Sequence, residues 1–425
     1  MDSREQRTIT GIARELSESL SVFNSRLCGG QAGWRGGRPV LLLPRADPPF
    51  NSYPFPVSPE GRVETRGGYM ESSARREEAL LTPREIYERL DRFVIGQDGA
   101  KRAVAIAAHN HLKRLLARRL RRTSLIKKSN ILLMGPTGSG KTHIARNLAD
   151  ILHVPFTTVD ATEYTEAGYY GKDVEVMISD LLFKANHSVE DTQRGIIFID
   201  EVDKIARRSQ GARNGAGSRD IGGEGVQQSL LKLLEGREVY VPLNVTQAWN
   251  KSDFVQVDTR DILFICAGTF SDLHDDGDEG RRAMGFGAED SAKRSQKRIS
   301  TRQLTDFGML AEFLGRLPVV VQLERLGEED LMRVLTEPPD SIVREFRELL
   351  SMDDLEVDFA DPGLREVVRY SVERGLGARG LRSVLEHVMA DVMFEAPERR
   401  RRQVMVDAGF VRERLRGLDS TQLDV

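Results

Sequence analysis

A glycine-rich segment of the chain has the spacing of a phosphate-binding loop. It fits the pattern G-x-x-x-x-G-K-[ST] and consists of Gly135, Pro136, Thr137, Gly138, Ser139, Gly140, Lys141 and Thr142. Glycines let backbone N–H groups approach phosphate oxygens, and a helix that begins at Lys141 adds the positive potential of its N-terminus. The Lys141 ammonium suits the β- and γ-phosphates, and the Thr142 hydroxyl suits Mg²⁺. The pattern therefore predicts a site for ATP with Mg²⁺, and a glycine-rich turn without a ligand is the alternative.

Two acidic residues follow an apolar run further along the chain. Asp200 and Glu201 come directly after residues 196–199, which are all apolar. In nucleotide-hydrolysing folds such a strand ends beside the phosphates, so we expect Asp200 to hold Mg²⁺ and Glu201 to orient the attacking water. An acidic pair at a strand end is by itself typical of a solvated turn. Together with the phosphate loop, it favours catalysis.

An aromatic pair indicates what the hydrolysis drives. Small-molecule kinases, transporters and motors share the two motifs above, so these motifs do not specify a substrate. Tyr169 and Tyr170 lie between Gly168 and Gly171, which suits a flexible loop that projects bulky side chains. Such a loop can grip a polypeptide. A turn with tyrosines packed on the surface is the alternative.

The elements around these residues alternate in an α/β order. Thr82, followed by Pro83 and Glu85, predicts an N-cap and a helix through Arg92. From about residue 326 helical periodicity dominates. Strands are predicted at 130–134, 156–159, 196–199 and 262–266, and helices from 141, at 340–350 and at 381–394. We therefore expect an α/β domain with a mainly parallel sheet, followed by a smaller and mostly helical domain.

Composition divides the chain into three predicted regions. Residues 1–80 form a divergent N-terminal region, in which residues 1–27 have the pattern of a short amphipathic helix and a Gly/Pro-rich linker follows. The prolines of this linker oppose helices and central strands. Residues 81–324 are the predicted large domain, and residues 325–425 are the small helical domain with a C-terminal tail. The charged segment 272–301 is predicted to be a mobile loop.

Charge and hydropathy exclude several classes of protein. The net charge is −3, with 40% hydrophobic and 30% charged residues, so we expect a globular protein without a nucleic-acid partner. The apolar runs are far shorter than the roughly 20 residues that span a bilayer. Acidic residues near the N-terminus fit neither a signal nor a transit peptide, so a cytoplasmic location is expected. Basic stretches at 113–122 and 399–402 are interpreted as solvated helix faces.

Cysteine usage argues against a disulfide framework and against a four-cysteine zinc site. The chain contains only Cys28 and Cys266, and Cys266 lies in an apolar run that predicts core. The motifs of common peptidases are also absent from the sequence. If proteolysis is involved, the cleavage belongs to a partner.

Residues 81–396 resemble the ClpX family, AAA+ unfoldases that serve the peptidase ClpP. The resemblance rests on motifs in the family order: residues 93–97, the phosphate loop, 165–175, 196–204, 223–228, 315–318 and 377–382. It implies an AAA+ P-loop fold and ATP-driven unfolding of proteins. It also implies a homohexameric ring, a ClpP-like peptidase as partner, and unfolded or tagged proteins as substrates.

The resemblance assigns roles to particular residues. Val94 and Ile95 would line the adenine pocket, and Tyr169 with Tyr170 would form the first pore loop. Arg316 resembles the arginine finger that acts on ATP bound by the neighbouring subunit. In the same way, Arg379 resembles the second sensor arginine of the small domain, and residues 219–224 resemble the second pore loop.

The chain departs from the family pattern in three places. It lacks the N-terminal four-cysteine zinc domain, and residues 244–251 replace a basic Arg-Lys-His loop that senses substrates. The peptidase-docking tripeptide Ile-Gly-Phe is replaced by Met284, Gly285 and Phe286. Since methionine is a flexible apolar residue, we expect docking to ClpP to survive.

Two other functions fit part of the sequence. A stand-alone chaperone that remodels protein complexes would keep the motor but would not need the docking tripeptide. A nucleic-acid motor or clamp-loader-like ATPase would use the basic stretch 113–122. The paired tyrosines and the net negative charge argue against the nucleic-acid motor.

Overall fold

A computed structural model describes residues 80–121, 125–165, 172–206, 223–242, 254–273, 299–398 and 403–416. The helices are α1 Pro83–Asp91, α2 Asp98–Arg119, α3 Lys141–Leu152, α4 Val176–Lys184, α5 Val189–Thr192, α6 Gly223–Glu235, α7 Thr301–Phe307, α8 Ala311–Gly315, α9 Glu328–Thr336, α10 Ile342–Ser351, α11 Asp361–Glu373, α12 Gly377–Glu395 and α13 Ala408–Leu415. The strands are β1 Ile131–Met134, β2 Phe156–Asp160, β3 Ile196–Asp200, β4 Glu238–Pro242, β5 Phe254–Asp258, β6 Leu263–Gly268, β7 Val319–Gln322, β8 Glu356–Phe359 and β9 Gln403–Val406.

The central sheet is parallel and has the strand order β2-β3-β6-β1-β7. Its side chains alternate between two buried hydrophobic clusters, as Leu132 and Met134 on one face and Ile131 and Leu133 on the other illustrate. Burial on both faces explains why the strands are continuous apolar runs. The arrangement holds β1 between β6 and β7, so the loop that follows β1 starts from a rigid position.

The predicted α/β fold with a mainly parallel sheet is confirmed. The four predicted strands correspond to β1, β2, β3 and β6, with ends that differ by one or two residues. The predicted helix after Thr82 is also present as α1. Thr82 Oγ1 accepts a hydrogen bond from Glu85 N at 3.2 Å, and Glu85 Oε2 accepts one from Thr82 N at 2.7 Å, which completes a capping box.

The C-terminal part contains a hydrophobic cluster of its own, which extends from Leu331 to Val411. Helices α9 to α13 build most of it, in agreement with the predicted helical character. Two strands were not predicted: β8 and β9 pair in parallel, with Val357 opposite Val404. Within the described ranges, no helix has the length and apolar character needed to cross a membrane.

The basic stretch 113–122 contacts the chain itself, so the prediction of a solvated helix face is wrong for part of it. Arg114 is 9% exposed, and one of its guanidinium nitrogens lies 3.6 Å from a carboxylate oxygen of Asp261. Arg118 pairs with Asp261 at 2.5 Å and with Asp258 at 3.4 Å. Both acids flank or belong to the 3₁₀ turn Thr259–Asp261. These arginines therefore anchor α2 to the turn that follows β5.

Candidate nucleotide site

One cavity of about 470 Å³ collects most of the predicted nucleotide-binding residues. Its size is within the usual range for small-molecule sites. The phosphate loop, the ends of β3 and β6, residues 93–95 and parts of the C-terminal helices form its wall. The lining residues are Phe93, Val94, Ile95, Thr137, Gly138, Ser139, Gly140, Lys141, Thr142, His143, Asp200, Glu201, Asp203, Lys204, Thr269, Leu326, Val334, Pro338, Asp340, Ser341, Ile342, Ala378, Arg379 and Arg382.

The glycines of the phosphate loop are required by its backbone. Gly138 and Gly140 have φ values of +75° and +94°, in the left-handed region that favours glycine. A Cβ at Gly135 would lie 2.9 Å from both the Cβ and the carbonyl oxygen of Leu323. The loop leads directly into α3, whose first residue, Lys141, lines the cavity. The N-terminus of α3 therefore offers backbone N–H groups and positive potential to an anion.

Lys141 is held inside the phosphate loop. Its Nζ donates hydrogen bonds to the carbonyl oxygens of Gly135 at 2.7 Å and Pro136 at 3.0 Å. Burial lowers the pKa of Lys141, an effect that the nearby carboxylates of Asp200 and Asp203 oppose. A phosphate would offer this buried ammonium group a charged acceptor in place of neutral carbonyls.

Asp200 and Glu201 lie at the carboxyl end of β3 and both line the cavity. Glu201 N donates a hydrogen bond to Asp200 Oδ1 at 2.9 Å. Glu201 has a φ of +59°, which is uncommon for residues other than glycine. Its Oε2 accepts a hydrogen bond from Lys204 Nζ at 2.6 Å. Because β3 ends at Asp200, Glu201 is the first residue beyond the strand.

Asp203 and Thr269 were not predicted as site residues. Asp203 Oδ2 accepts hydrogen bonds from Thr269 Oγ1 at 2.7 Å and from Phe270 N at 3.1 Å. Thr269 directly follows β6, and ligand sites lie beyond the carboxyl ends of parallel strands, so its position was a usable signal. Lys204 was also missed as a site residue, although it lies in one of the motifs quoted above.

The predicted adenine residues lie in an apolar part of the cavity wall. Val94 and Ile95 are 4% and 7% exposed, and the half-buried Leu326 and Val334 line the same cavity. Such a surface suits the faces of a purine ring. Apolar groups from both the N-terminal and the C-terminal part of the described chain thus meet here.

Gln97 connects the phosphate loop to the segment that precedes the C-terminal helices. Its Nε2 donates to Glu324 O at 2.7 Å and to Ser139 O at 3.4 Å, and its Oε1 accepts from Glu324 N at 3.0 Å. Glu324 is the last residue of the predicted large domain. The side chain of Gln97 therefore fixes this segment relative to the phosphate loop.

Arg379 lies in the first turn of α12 and lines the cavity. The start of α12 touches the phosphate loop: a Cβ on Gly138 would lie 3.0 Å from Ala378 N, and a Cβ on Gly377 would lie 3.3 Å from Thr137 O. A side chain at either glycine would push the two backbones apart by a few tenths of an ångström. Arg379 is thereby brought to the site by a backbone-to-backbone contact.

Arg316 does not line the cavity. It follows α8, is 51% exposed, and its Nη2 lies 2.5 Å from Glu235 Oε1. Val319 at the start of β7 pairs with Ile131 at the start of β1, so Arg316 lies near the amino ends of these strands. The phosphate loop follows the carboxyl end of β1, about 13 Å away along a four-residue strand. The strand direction therefore separates Arg316 from the nucleotide cavity of its own chain.

Several predicted residues lie outside the described ranges. These are Tyr169 and Tyr170 of the first pore loop, residues 219–222 of the second, the substituted loop 244–251 and the docking residues Met284, Gly285 and Phe286. Most of the predicted loop 272–301, the basic stretch 399–402 and residues 1–79 also fall there. Their predicted roles stay predictions.

Comparison with known proteins agrees with these features. A family model described as AAA domain (Cdc48 subfamily) matches residues 126–320. The chain is 44% identical over 333 residues to the "ATP-dependent Clp protease ATP-binding subunit ClpX 2" of Wolinella succinogenes, covering 78% of this chain and 82% of that protein. It is 42% identical over 338 residues to the ClpX subunit of Treponema denticola, covering 77% and 80%, and 43% identical over 357 residues to that of Porphyromonas gingivalis, covering 81% and 85%. The chain therefore belongs to the ClpX family of AAA ATPases.

Proposed function

We propose that this chain is an ATP-driven protein unfoldase and translocase, the ATP-binding subunit of a two-component protease that feeds client proteins to a ClpP-like peptidase. The observation that carries the proposal is a single cavity that combines the phosphate loop with Glu201 and Arg379. The relatives named above, at 42–44% identity, are ATP-binding subunits of Clp protease. We also propose that the protein is located in the cytoplasm, because the cytoplasm supplies the ATP that hydrolysis requires.

The residues of the cavity suit magnesium-dependent hydrolysis of ATP. The Thr142 hydroxyl and the Asp200 carboxylate line the same cavity, and oxygen donors of this kind suit Mg²⁺ bound together with a nucleotide. The ion would neutralise part of the negative charge of the phosphates. Lys141 and the N–H groups of the loop would bind phosphate oxygens, and Glu201 would orient the attacking water and accept its proton.

Arg316 is proposed to act on ATP bound by the neighbouring subunit. Its place at the amino ends of β1 and β7 keeps it from the cavity of its own chain, and its side chain is half exposed. An arginine supplied in trans can raise the kcat of phosphoryl transfer by about a thousandfold or more. Because every subunit would supply one arginine and receive another, the proposal requires a closed ring, and we propose a homohexamer.

The mechanical output is proposed to act through the loop that carries Tyr169 and Tyr170. Folded clients are stable by only about 5–15 kcal/mol but open slowly, so repeated pulls on the chain accelerate their unfolding. The tyrosines would grip the polypeptide, with residues 219–224 as the second pore loop. Met284, Gly285 and Phe286 would dock the peptidase.

Degradation of a tagged, folded fluorescent protein tests the proposal. The purified chain, ATP and ClpP from the same organism are combined, and fluorescence is followed over time. We expect loss of fluorescence that requires ATP and ClpP and that a Phe286→Ala variant fails to support. ATPase activity without any degradation would instead indicate a stand-alone remodeller. Stimulation of the ATPase by DNA but not by unfolded protein would contradict both.

A further inference from the structure

The backbone of Arg316 is attached to the core by a buried asparagine. Asn130 is 1% exposed, and its Nδ2 donates hydrogen bonds to Arg316 O at 3.0 Å and to Leu234 O at 3.4 Å. Its Oδ1 accepts a hydrogen bond from Phe264 N at 3.3 Å. A single buried amide thus holds the segment before β7 and the end of α6 against the sheet. Satisfied buried amides of this kind are costly to disrupt.

The side chain of Arg316 is held by the residue that follows Leu234. Glu235 Oε1 lies 2.5 Å from Arg316 Nη2, and the two side chains are 44% and 51% exposed. The backbone after Glu235 is constrained, because Gly236 has a φ of +95° and a Cβ there would lie 2.6 Å from Arg260 Cγ. The next residue, Arg237, donates its backbone N–H to Thr259 Oγ1 at 2.9 Å. The Glu235 carboxylate is therefore presented from a fixed turn.

We propose that Glu235 is a positioning residue for Arg316, whose backbone Asn130 anchors, and this inference rests on the trans role of Arg316 proposed above. A free arginine side chain has about 2 kcal/mol of rotamer entropy to lose when it engages a ligand. Glu235 binds only the Nη2 of Arg316. The other N–H donors of the guanidinium group can then bind a phosphate. Holding the fork in advance reduces the entropy that is lost in the transition state.

The same contacts connect the two nucleotide sites that one subunit serves. Asn130 directly precedes β1, and the phosphate loop directly follows it. A shift of β1 on binding ATP would therefore move both the loop of the chain's own site and the anchor of Arg316. Since all four residues of β1 are buried and paired on both sides, such a shift would act on the strand as a unit.

A Glu235→Ala variant in the assembled ring tests the proposal. We expect kcat for ATP hydrolysis to fall about two- to fivefold, the upper part of the range that loss of one half-exposed ion pair gives. The KM for ATP should stay within about twofold, because the residues that bind ATP on the neighbour are intact. Glu235→Gln, which keeps an acceptor for Arg316, should lower kcat less than Glu235→Ala does. Glu238→Ala is the matched control, since Glu238 pairs with Arg260 at 3.1 Å and is 53% exposed.

A double variant separates positioning from a general effect on folding. Glu235→Ala combined with Arg316→Ala should be no slower than Arg316→Ala alone, because Glu235 would act only through Arg316. Additive losses, or a Glu235→Ala enzyme with the kcat of the Glu238→Ala control, would overturn the inference. Normal turnover by Arg316→Ala would instead remove the trans role of Arg316 itself, so the two failures are distinguishable. Sedimentation with ATP confirms that the variants compared form the same assembly.

Discussion

Glu201 combines an unfavourable backbone conformation with a polar partner in the nucleotide cavity. Its φ is +59°, its carboxylate accepts a hydrogen bond from Lys204, and it lines the cavity beside the phosphate loop. We predict that Glu201→Gln binds ATP with near-normal affinity but hydrolyses it at least about a hundredfold more slowly, since the amide cannot accept a proton from water. Titration with a fluorescent ATP analogue and a phosphate-release assay measure the two properties.

The control for this variant is Glu373→Gln, which changes an exposed carboxylate paired with Arg369 in the C-terminal helices. It should leave both affinity and turnover unchanged. Hydrolysis by Glu201→Gln at the rate of this control would contradict the assignment of Glu201 as general base. Loss of ATP binding would show instead that Glu201 contributes to affinity.

His111 is a buried group that should make stability depend on pH. Burial, reinforced by the positive charges of Arg114 and Lys128, lowers its pKa from 6.5 to about 3. Between these values the unfolded chain binds a proton that the folded chain does not, so acid favours unfolding. The free energy of unfolding should therefore fall as the pH drops below about 6.5, by up to about 1.4 kcal/mol per pH unit from this group.

Replacing His111 isolates this contribution. Urea unfolding of His111→Gln should depend less on pH between about 7 and about 5 than unfolding of the wild type, because the glutamine does not titrate there. His387→Gln, which changes an exposed histidine on α12, should retain the wild-type dependence. Equal pH dependence in all three proteins would mean that the pKa of His111 is the same in the folded and the unfolded chain.

At the scale of elements, local patterns were predictable and long-range pairing was not. Residues that are close together in the sequence were enough to predict the phosphate loop, α3 and the strand that ends at Asp200. By contrast, β7 is a four-residue run after Leu317 and Pro318, too short for periodicity to separate a strand from a helix. The alternation in Glu238–Pro242 was a strand signal that the prediction did not use. The Asp203–Thr269 contact depends on the pairing of β3 with β6, which no local pattern encodes.

The contact between α12 and the phosphate loop should control nucleotide affinity. Gly377 has a φ of +61°, and an added Cβ would lie 3.3 Å from Thr137 O. We predict that Gly377→Ala raises the Kd for ATP about three- to tenfold, because the start of α12 and the loop must separate to admit the methyl group. Binding of a fluorescent ATP analogue measures the effect.

Gly375 provides a matched control for backbone strain. Its φ is +69°, close to that of Gly377, but an added Cβ would meet nothing within 4 Å. Gly375→Ala should share the cost of a left-handed alanine, about 1–2 kcal/mol, without changing the affinity for ATP. If both variants bind ATP equally well, the contact between α12 and the loop does not shape the site.

At the scale of the whole molecule, the direction of the sheet divides the proposed catalytic groups between the two ends of its strands. Lys141 and Glu201 lie beyond the carboxyl ends of β1 and β3, whereas Arg316 lies beside the amino end of β7. If Arg316 takes part in hydrolysis, a single chain holds two incomplete halves of different sites. Completion then requires a neighbour in a fixed orientation, and only a closed ring gives every subunit such a neighbour.

Mixing two inactive variants tests this division directly. A Glu201→Gln chain keeps Arg316, and an Arg316→Ala chain keeps Glu201, so each homogeneous ring should hydrolyse ATP at no more than about a hundredth of the wild-type rate. In rings mixed one to one, half of the sites retain Glu201 and half of these receive Arg316 from a neighbour. Hydrolysis should therefore recover to about a tenth to a quarter of the wild-type rate. A mixture of wild type with the Glu201→Gln, Arg316→Ala double variant measures how far dead subunits slow their neighbours. If the mixture of the two single variants stays inactive while this control mixture hydrolyses ATP, Arg316 does not complete the neighbour's site.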